Sequence, residues 1–385
     1  MAFIQRQIAI PIEAMMAKYP VLAVTGPRQS GKTTLLRSMF PHFTYVSLEQ
    51  EPMRLFATED PIGFLKRYDA QVIFDEVQRT PNLFSYLQDK VDNSGAMGQF
   101  ILSGSQNFQL LRNITQSLAG RVCIFNLLPF DFQELHHQNL LPNHWRELIF
   151  KGFYPAVYDR QIEPPVFYNN YIQTYIERDV SELLRIQEKR QFRNFLGLCA
   201  ARTGQLLNLS NLAVECGISQ PTAKAWLSVL ESSFVIFHLQ PYFENFTKRI
   251  VKTLKLYFYD TGLAAHLLGV RDESDMEQHS VQGSLFENMI VAEFFKQNQH
   301  RYLLRDYWFW RDTNGNEVDL LTKKGLFLDI FEIKSSQTLL SSTFKGLDYF
   351  QGLAPDYVNS RTLIYGGDEN QERTKYSVRG WKSLP

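Results

Sequence analysis

Short apolar runs and longer runs with helical spacing alternate through the first third of the chain. Val21–Val24 is a branched apolar run that leads into a Gly-rich turn, and a helical pattern follows from Thr34 to Met39. Strands that alternate with helices predict a mostly parallel sheet. Further strands are predicted at His42–Leu48, Gln71–Phe74, Gln99–Leu102 and Val122–Leu127, and helices at Phe3–Lys18, Glu51–Arg67 and Leu83–Val91.

Helical spacing dominates the middle of the chain. It covers Phe130–Asn139, Trp145–Lys151, Val166–Gln187 and Phe192–Thr203, and Pro164-Pro165 is expected to break the chain. A tighter pattern follows, in which Gly217 ends one helix and Ser219 caps the next, Gln220–Glu231. Phe234–Gln240 then has the pattern of a strand, so a winged helix-turn-helix is expected at residues 206–270, after a helical lid at 131–205.

The last hundred residues predict a separate α/β domain, at 280–385. The charged segment Arg271–Glu277 is expected to be a linker, and Ser284–Gln297 has the spacing of an amphipathic helix. Asn314-Gly315 is a strong hairpin signal between two strands. The strands are predicted at Tyr307–Arg311, Glu317–Leu321, Leu326–Ile333 and Thr362–Tyr365.

Composition narrows the class of protein only moderately. The 385 residues are 44% hydrophobic and 21% charged, which is ordinary for a folded chain of two or three domains. The formal net charge is +0, so any contact with nucleic acid needs a local basic patch. The three cysteines form no CxxC motif, so we expect free thiols. The sequence has no apolar run near 18 residues and no signal-peptide core, so we expect a cytoplasmic protein without membrane contact.

The turn after the first strand matches the phosphate-binding pattern GxxxxGK[ST]. Gly26 and Gly31 let the backbone curl around phosphate oxygens, and the helix N-terminus favours negative charge. Lys32 is expected to reach the β and γ phosphates, and the Thr33 hydroxyl to bind Mg²⁺. The predicted nucleotide-binding residues are Gly26, Pro27, Arg28, Gln29, Ser30, Gly31, Lys32, Thr33 and Thr34.

Two adjacent carboxylates end the strand at Gln71–Phe74, which we expect to lie directly beside the first strand. Asp75 is predicted to hold Mg²⁺, and Glu76 to orient or deprotonate the attacking water. Ser105 or Gln106, at the end of the next strand, is a candidate sensor of the γ phosphate. Arg121 precedes a further strand and is a candidate arginine finger for a neighbouring subunit, the alternative being a surface arginine in a turn.

The first domain resembles a family of prokaryotic AAA+-type ATPases in four sequence segments. In chain order these are GPRQSGKTTLL, VIFDEVQ, ILSGSQNF and SLAGRV. The phrases GFYPAVY, YIERDV and FYDTGLAAHLLG resemble the region of unassigned function that follows the ATPase module in that family. The resemblance implies ATP and Mg²⁺ as cofactors and a homo-oligomer joined through the ATP site. One departure is that Ser105 and Gln106 stand where Asn or Thr is usual.

The C-terminal domain resembles the core of PD-(D/E)xK nucleases, with Val318 in place of the proline of that name. Strand period two puts Glu332 and Lys334 on one face, and Asp319 on the neighbouring strand can lie beside them. By this resemblance Asp319, Glu332 and Glu287 are candidate metal ligands, and Lys334 would position the attacking water. The alternative is a row of charged residues on a solvated sheet face.

The predicted winged helix carries few basic residues. Lys224 lies on its second helix, and Lys248, Arg249, Lys252 and Lys255 form a locally basic stretch that could contact phosphates from the wing. DNA contact and a purely architectural or protein-binding role are both compatible with this composition.

Three functions follow from these patterns. The first is an oligomeric AAA+-type ATPase whose hydrolysis drives movement of the winged-helix and nuclease-like domains, with DNA and a protein client as candidate partners. The others are an ATP-gated, metal-dependent DNA nuclease and a non-catalytic nucleotide switch or scaffold that binds a protein partner. The absence of a GTPase base-reading motif is the only argument for adenine over guanine.

Overall fold

A parallel five-stranded sheet forms the centre of the first domain, in a computed structural model that describes residues 4–105, 110, 114, 116–176, 189–243 and 251–384. The spatial order of the strands is β2-β3-β4-β1-β5, and all four pairings are parallel, which confirms the predicted parallel sheet. The strands are β1 Val21–Thr25, β2 Thr44–Ser47, β3 Val72–Asp75, β4 Phe100–Gly104 and β5 Val122–Asn126.

The strand that ends in the two carboxylates does not lie beside the first strand, and our expectation was wrong on this point. β4 lies between them, with Ser103 in register with Val24 on one side and Asp75 on the other. Strand order in a parallel sheet depends on where each crossover helix returns the chain, which the strand sequences do not encode.

Helices cover both faces of this sheet. Alternate residues of β1 belong to two different cores, Val21 and Ala23 to one and Leu22 and Val24 to the other. The predicted helix Glu51–Arg67 is two helices, because Pro61 begins a new helix that Asp60 caps by accepting a hydrogen bond from the Gly63 N–H. The helices are α1 Ala9–Met16, α2 Lys32–Met39, α3 Glu51–Glu59, α4 Pro61–Arg67 and α5 Leu83–Ser94.

The middle of the chain is helical, as expected, but its proline pair begins a helix instead of breaking one. Pro164 and Pro165 occupy the first turn of α9, where a missing N–H is tolerated. A π-helical turn, Ile172–Ile176, follows, and the remainder of the predicted long helix lies outside the described residues. The helices are α6 Phe132–His137, α7 Trp145–Lys151, α8 Pro155–Asp159, α9 Pro164–Tyr171 and α10 Lys189–Ala201.

Two helices and a strand pair follow where a winged helix is expected. Gly217 ends the first helix with φ 66°, and the Ser219 hydroxyl accepts a hydrogen bond from the Thr222 N–H at the start of the second. β6 and β7 pair as antiparallel strands. The assignment as a winged helix stays a prediction. The elements are α11 Leu209–Cys216, α12 Gln220–Ser232, β6 Ile236–Pro241, β7 Lys255–Phe258 and α13 Thr261–Leu267.

The strand pair β6–β7 is continuous with the C-terminal strands. Gln240 pairs in parallel with Trp308, so one sheet of eight strands runs in the order β12-β13-β11-β10-β9-β8-β6-β7. Where a linker was expected, Asp272 caps a short helix that buries Met276. The elements are α14 Glu273–Gln278, α15 Gln282–His300, β8 Tyr307–Arg311, β9 Glu317–Lys324, β10 Phe327–Lys334, α16 Lys345–Leu353, β11 Val358–Tyr365, β12 Gln371–Glu372 and β13 Ser377–Gly380.

Helix α15 is buried on most of its circumference rather than on one face. Its C-terminal half contacts the chain just after the first sheet. The Lys296 ammonium donates to the Phe130 carbonyl at 3.1 Å, and His300 Nδ1 lies 2.9 Å from Asp131 Oδ2. Glu293 Oε1 accepts a hydrogen bond from the Phe132 N–H at 3.0 Å. These contacts tie the ATPase-like part of the chain to the C-terminal half.

A buried ion pair extends this connection to the phosphate-binding loop. The Arg6 guanidinium contacts Glu134 Oε1 at 3.0 Å and the carbonyls of Ser30 and Leu128 at 2.8 and 2.6 Å. Arg6 is 3% exposed and the Glu134 side chain is fully buried, so neither charge has water as an alternative partner.

Two further properties of the described residues bear on the class of protein. Cys123, Cys199 and Cys216 are buried free thiols, as predicted. No helix in the described ranges is long and apolar enough to span a lipid bilayer.

Replacing Glu134 by Gln is expected to lower the free energy of unfolding by about 3–5 kcal/mol, because the buried Arg6 charge loses its partner. Urea denaturation measures this change. Glu147→Gln removes the same charge from an ion pair with Lys151 that is about one-third exposed, so it should cost at most about 0.5 kcal/mol. Equal effects of the two substitutions would contradict the network.

Candidate functional site

The loop between β1 and α2 has the backbone that a phosphate cradle needs. Gly26 has φ +148°, and a Cβ at this position would lie 2.2 Å from the Leu127 carbonyl oxygen. Gly31 has φ +95° and precedes α2 without a side-chain cap, so the first N–H groups of α2 remain available to an anion. The Ser30 hydroxyl is buried and has no partner in the described part of the chain.

The Lys32 ammonium folds back onto this loop. It donates to the Gly26 and Pro27 carbonyls at 2.9 and 2.8 Å. Burial lowers the pKa of Lys32 to about 8, against the attraction of Glu76 and Asp75. A phosphate group that takes the place of these carbonyls would give the buried ammonium a charged partner.

The other predicted loop residues differ in exposure. The Arg28 guanidinium lies over the Tyr175 ring, 5.4 Å from its centroid. Gln29 is exposed with φ 62°, and Thr34 is exposed on α2. The loop therefore presents its backbone and Lys32 to a ligand, while Arg28 packs against the end of the middle helical region.

Asp75 is the point at which four elements of the first domain meet. One oxygen accepts from the Thr33 hydroxyl at 2.9 Å and from the Tyr45 hydroxyl at 2.5 Å. The other accepts from the Ser103 hydroxyl. Burial and the bond to Asp75 raise the pKa of Tyr45 above its usual range. Tyr45 and Ser103 were not found from the sequence, although Ser103 is a polar residue within the fully buried strand β4.

The Thr33 and Asp75 oxygens fit the requirements of Mg²⁺. They form an adjacent hydroxyl–carboxylate pair at the carboxyl edge of a parallel sheet, and Mg²⁺ prefers such hard oxygen donors. The structure thus brings these two predicted residues into contact.

Glu76 has a left-handed backbone conformation, with φ 55° and ψ 40°, which is rare for a residue other than Gly. Its Oε2 atom accepts hydrogen bonds from Gln78 Nε2 and, at 3.2 Å, from the Ser105 hydroxyl. The structure thus brings Ser105 to the predicted catalytic carboxylate. Gln78 was missed, since nothing in its local pattern distinguishes it. Gln106 lies outside the described residues.

Arg121 lies where the parallel strands begin, at the opposite end of the sheet from the phosphate-binding loop. Its carbonyl accepts from the Val21 N–H at the start of β1, whereas the phosphate-binding loop follows the end of β1. Its guanidinium forms two hydrogen bonds with Asp92, at 2.5 and 2.8 Å, and one-third of the side chain is exposed. Arg121 therefore does not contact the nucleotide site of its own chain.

Family comparisons agree with this geometry. Residues 18–136 match a family described as an AAA domain. Residues 142–274 and 282–384 match two families described as domains of unknown function, DUF8612 and DUF4143. The match and the geometry of Lys32, Thr33 and Asp75 support a P-loop ATPase domain in the first third of the chain.

Two relatives that align with most of this chain are named as uncharacterized proteins. Uncharacterized proteins of Mycobacterium bovis and Mycobacterium tuberculosis are each 29% identical over 337 residues, 87% of this chain and 74% of theirs. A Walker-type ATPase of Pyrococcus abyssi aligns with a TM-score of 0.46 and 17% identity over 69% of this chain and 96% of its own. AMPPCP-bound DnaA of Aquifex aeolicus gives 0.31 and 15% identity over 58% and 85%.

The structure brings three of the four predicted C-terminal site residues into contact. The Lys334 ammonium lies 2.6 Å from Glu332 Oε1 and 3.4 Å from Asp319 Oδ2, and Asp319 also accepts from the Ile333 N–H at 2.8 Å. Asp319 and Glu332 are 6% and 7% exposed. The alternative of a solvated row of charges is therefore wrong for these two carboxylates.

The fourth residue, Glu287 on α15, has different partners. Its Oε1 atom accepts from the Lys255 ammonium at 2.9 Å and from the Tyr257 hydroxyl at 2.6 Å. Lys255 also pairs with Glu317. Burial opposes the charge of Lys255, but the carboxylates of Glu287 and Glu317 raise its pKa well above the usual range. The sequence placed Lys255 in the basic stretch of the wing, and this expectation was wrong, because the side chain is buried in the ion pair.

Mg²⁺ does not fit this C-terminal cluster as the described residues arrange it. Lys255 contacts Glu287 and Glu317, and Lys334 contacts Asp319 and Glu332, so an ammonium group already occupies the space between the carboxylates of each pair. We derive no metal-dependent step from this site. Its assignment as a PD-(D/E)xK core stays a prediction.

The predicted DNA-contact residues are only partly described. Lys224 is exposed on α12, and Lys252 is exposed just before β7. Lys248 and Arg249 lie outside the described residues. DNA contact stays a prediction.

Replacing Glu332 by Gln should change how stability depends on pH. Burial and the neighbouring Asp319 raise the pKa of Glu332 from 4.5 to about 8, so the folded chain binds more protons than the unfolded chain between these values. The free energy of unfolding of the wild type therefore falls as pH rises through this window, by at most about 1.4 kcal/mol per pH unit.

Urea denaturation of wild type and Glu332→Gln at about pH 5.5 and 7.5 tests this, because the variant lacks the titrating carboxyl. The wild type should lose stability relative to the variant at the higher pH. Glu147→Gln, at a partly buried position outside this cluster, should follow the wild type. Parallel profiles for all three proteins would contradict a raised pKa.

Proposed function

We propose that the first domain binds ATP with Mg²⁺ and hydrolyses it. The observation that carries this proposal is the contact of Thr33 on the phosphate-binding loop with Asp75 on β3, at 2.9 Å, with Glu76 next in the chain. The AAA domain match over residues 18–136 favours ATP as the nucleotide.

Each group has a role that follows from its position. The N–H groups of the loop and α2 bind phosphate oxygens, and Lys32 leaves the Gly26 and Pro27 carbonyls to pair with the β and γ phosphates. Thr33 and Asp75 would hold Mg²⁺, which would neutralise charge on the phosphates. Tyr45 and Ser103 keep the Asp75 carboxylate oriented.

Glu76 is the residue we assign to the attacking water. Gln78 and Ser105 hold Oε2, and Oε1 has no hydrogen-bond partner among the described residues. A carboxylate fixed through one oxygen can accept a proton or a hydrogen bond from water at the other. Ser105 therefore positions Glu76, in addition to the γ-phosphate contact proposed from its sequence position.

Glu76→Gln and Lys32→Ala should separate the two halves of this proposal. Glu76→Gln should retain ATP affinity and lower kcat about 10²–10⁴-fold, because only the proton acceptor is lost. Lys32→Ala should lose ATP affinity as well, because the phosphates lose their cation. Phosphate release and binding of a fluorescent ATP analogue measure these effects.

Glu59→Gln, at an exposed position at the end of α3, is the control and should retain wild-type kcat. Full turnover by either Lys32→Ala or Glu76→Gln would overturn the proposal.

We further propose that Arg121 completes the ATP site of a neighbouring subunit. Its one-third exposure and its distance along the sheet from its own loop favour action on another copy of the chain. Asp92 holds the guanidinium in the isolated chain and would release it when a neighbour's triphosphate offers more negative charge.

Mixing two inactive variants tests this. Arg121→Ala keeps its own Lys32, Asp75 and Glu76, and should lose about 10³-fold in kcat for want of the finger. Glu76→Gln lacks its own base but keeps Arg121, so a mixture of the two should regain a substantial part of wild-type activity. Asp92→Asn keeps the arginine and should remain active. A mixture no more active than its components would exclude action between subunits.

A further inference from the structure

The C-terminal carboxylate cluster contains a cation supplied by another part of the chain. Lys255 begins β7, the strand that returns from the predicted wing, and its side chain is 2% exposed. Its ammonium lies 2.9 Å from Glu287 Oε1 and also contacts Glu317 Oε1. The ammonium therefore bridges the helix α15 and the strand β9.

The groups around Lys255 are fixed by further contacts. The Tyr257 hydroxyl donates to the same Glu287 oxygen at 2.6 Å, and Arg311 holds the other oxygen of Glu317 at 2.7 Å. Lys255 and Arg311 therefore supply two positive charges that balance the two negative charges of Glu287 and Glu317.

Lys334 likewise bridges the other two carboxylates, Asp319 and Glu332. Its ammonium contacts Glu332 Oε1 at 2.6 Å and Asp319 Oδ2 at 3.4 Å. One oxygen, Glu332 Oε2, is buried and has no partner in the described part of the chain. A divalent ion at this oxygen would lie close to the Lys334 ammonium, which contacts the other oxygen of the same carboxylate and would repel the ion.

We propose that Lys255 takes the place of a divalent metal ion in this cluster and keeps it closed to Mg²⁺ and Mn²⁺. Each ammonium group bridges two of the four carboxylates, since Lys255 contacts Glu287 and Glu317, and Lys334 contacts Asp319 and Glu332. Since Lys255 comes from β7 and not from the C-terminal strands, the nuclease-like pattern of Asp319, Glu332 and Lys334 does not reveal this arrangement. The proposal is independent of ATP hydrolysis by the first domain.

Thermal unfolding of the full chain with MnCl₂, without nucleotide, tests the proposal. Lys255→Met should lower Tm by roughly 5–15 °C, because Glu287 and Glu317 lose their buried partner. Added Mn²⁺ should then restore at least half of that loss in Lys255→Met. The wild type should show no gain that depends on the C-terminal carboxylates.

Two control variants show whether the effect of Mn²⁺ comes from the C-terminal carboxylates. Lys324→Met removes an exposed lysine from the end of β9 and should respond to Mn²⁺ as the wild type does. Lys255→Met combined with Asp319→Asn should lose the rescue. Mn²⁺ bound at the first domain contributes equally to every variant, because Thr33 and Asp75 are unchanged.

Calorimetric titration of wild type and Asp319→Asn with MnCl₂ keeps the test decisive even if Lys255→Met does not fold. Identical uptake by these two proteins supports the proposal. Greater Mn²⁺ uptake by the wild type would overturn it, because the cluster would then accept a metal with Lys255 in place. A folded Lys255→Met that gains nothing from Mn²⁺ would overturn it as well.

Discussion

The carboxylate of Asp75 is the group on which the geometry of the first domain depends. It accepts hydrogen bonds from Thr33 on α2, Tyr45 on β2 and Ser103 on β4, and so it connects the phosphate-binding loop to both neighbours of its own strand. A buried charge is tolerated only with several such donors. These donors fix the orientation of the carboxylate beside the Thr33 hydroxyl.

The insertion of β4 between β1 and β3 makes this convergence possible. β4 brings Ser103 against Asp75 and Ser105 against Glu76, so the polar end of the inserted strand lies at both carboxylates. Glu76 keeps its strained backbone, since Gln78 and Ser105 hold its side chain from two sides. Strain that neighbouring contacts maintain in this way is typical of a functional residue.

Buried charges also join the two halves of the chain. Arg6 contacts the Ser30 carbonyl in the phosphate-binding loop and the Glu134 carboxylate on α6. His300 at the end of α15 lies 2.9 Å from Asp131 and 3.6 Å from Glu134. The same helix carries Glu287 near its start, so a single element extends from the ATPase domain to the C-terminal cluster.

The sequence was informative where chemistry is local and less so where it depends on tertiary contacts. Lys32, Thr33 and the adjacent Asp75-Glu76 pair were predictable, because each role is tied to a position within a short motif. Strand order, and with it Ser103 and Tyr45 at Asp75, depends on crossovers that bring distant segments together. The division of residues 51–67 into two helices was readable from Asp60-Pro61, but periodicity concealed it.

The C-terminal cluster illustrates the same limit. The spacing of Asp319, Glu332 and Lys334 predicted that they meet, since strand period and pairing are short-range properties. Glu287 on α15 pairs instead with Lys255, which is 32 residues away in the chain and begins β7. A pattern of acids predicts where negative charge collects, but not which cation balances it.

The dependence of ATP affinity on Mg²⁺ tests the central claim most directly. Calorimetric titration with ATP, in the presence and absence of Mg²⁺, measures the ATP affinity of the wild type and of Asp75→Asn. The structure predicts that Mg²⁺ tightens ATP binding to the wild type and has little effect on Asp75→Asn. A wild type without measurable ATP affinity in Mg²⁺, or an Asp75→Asn variant with an undiminished Mg²⁺ effect, would contradict it.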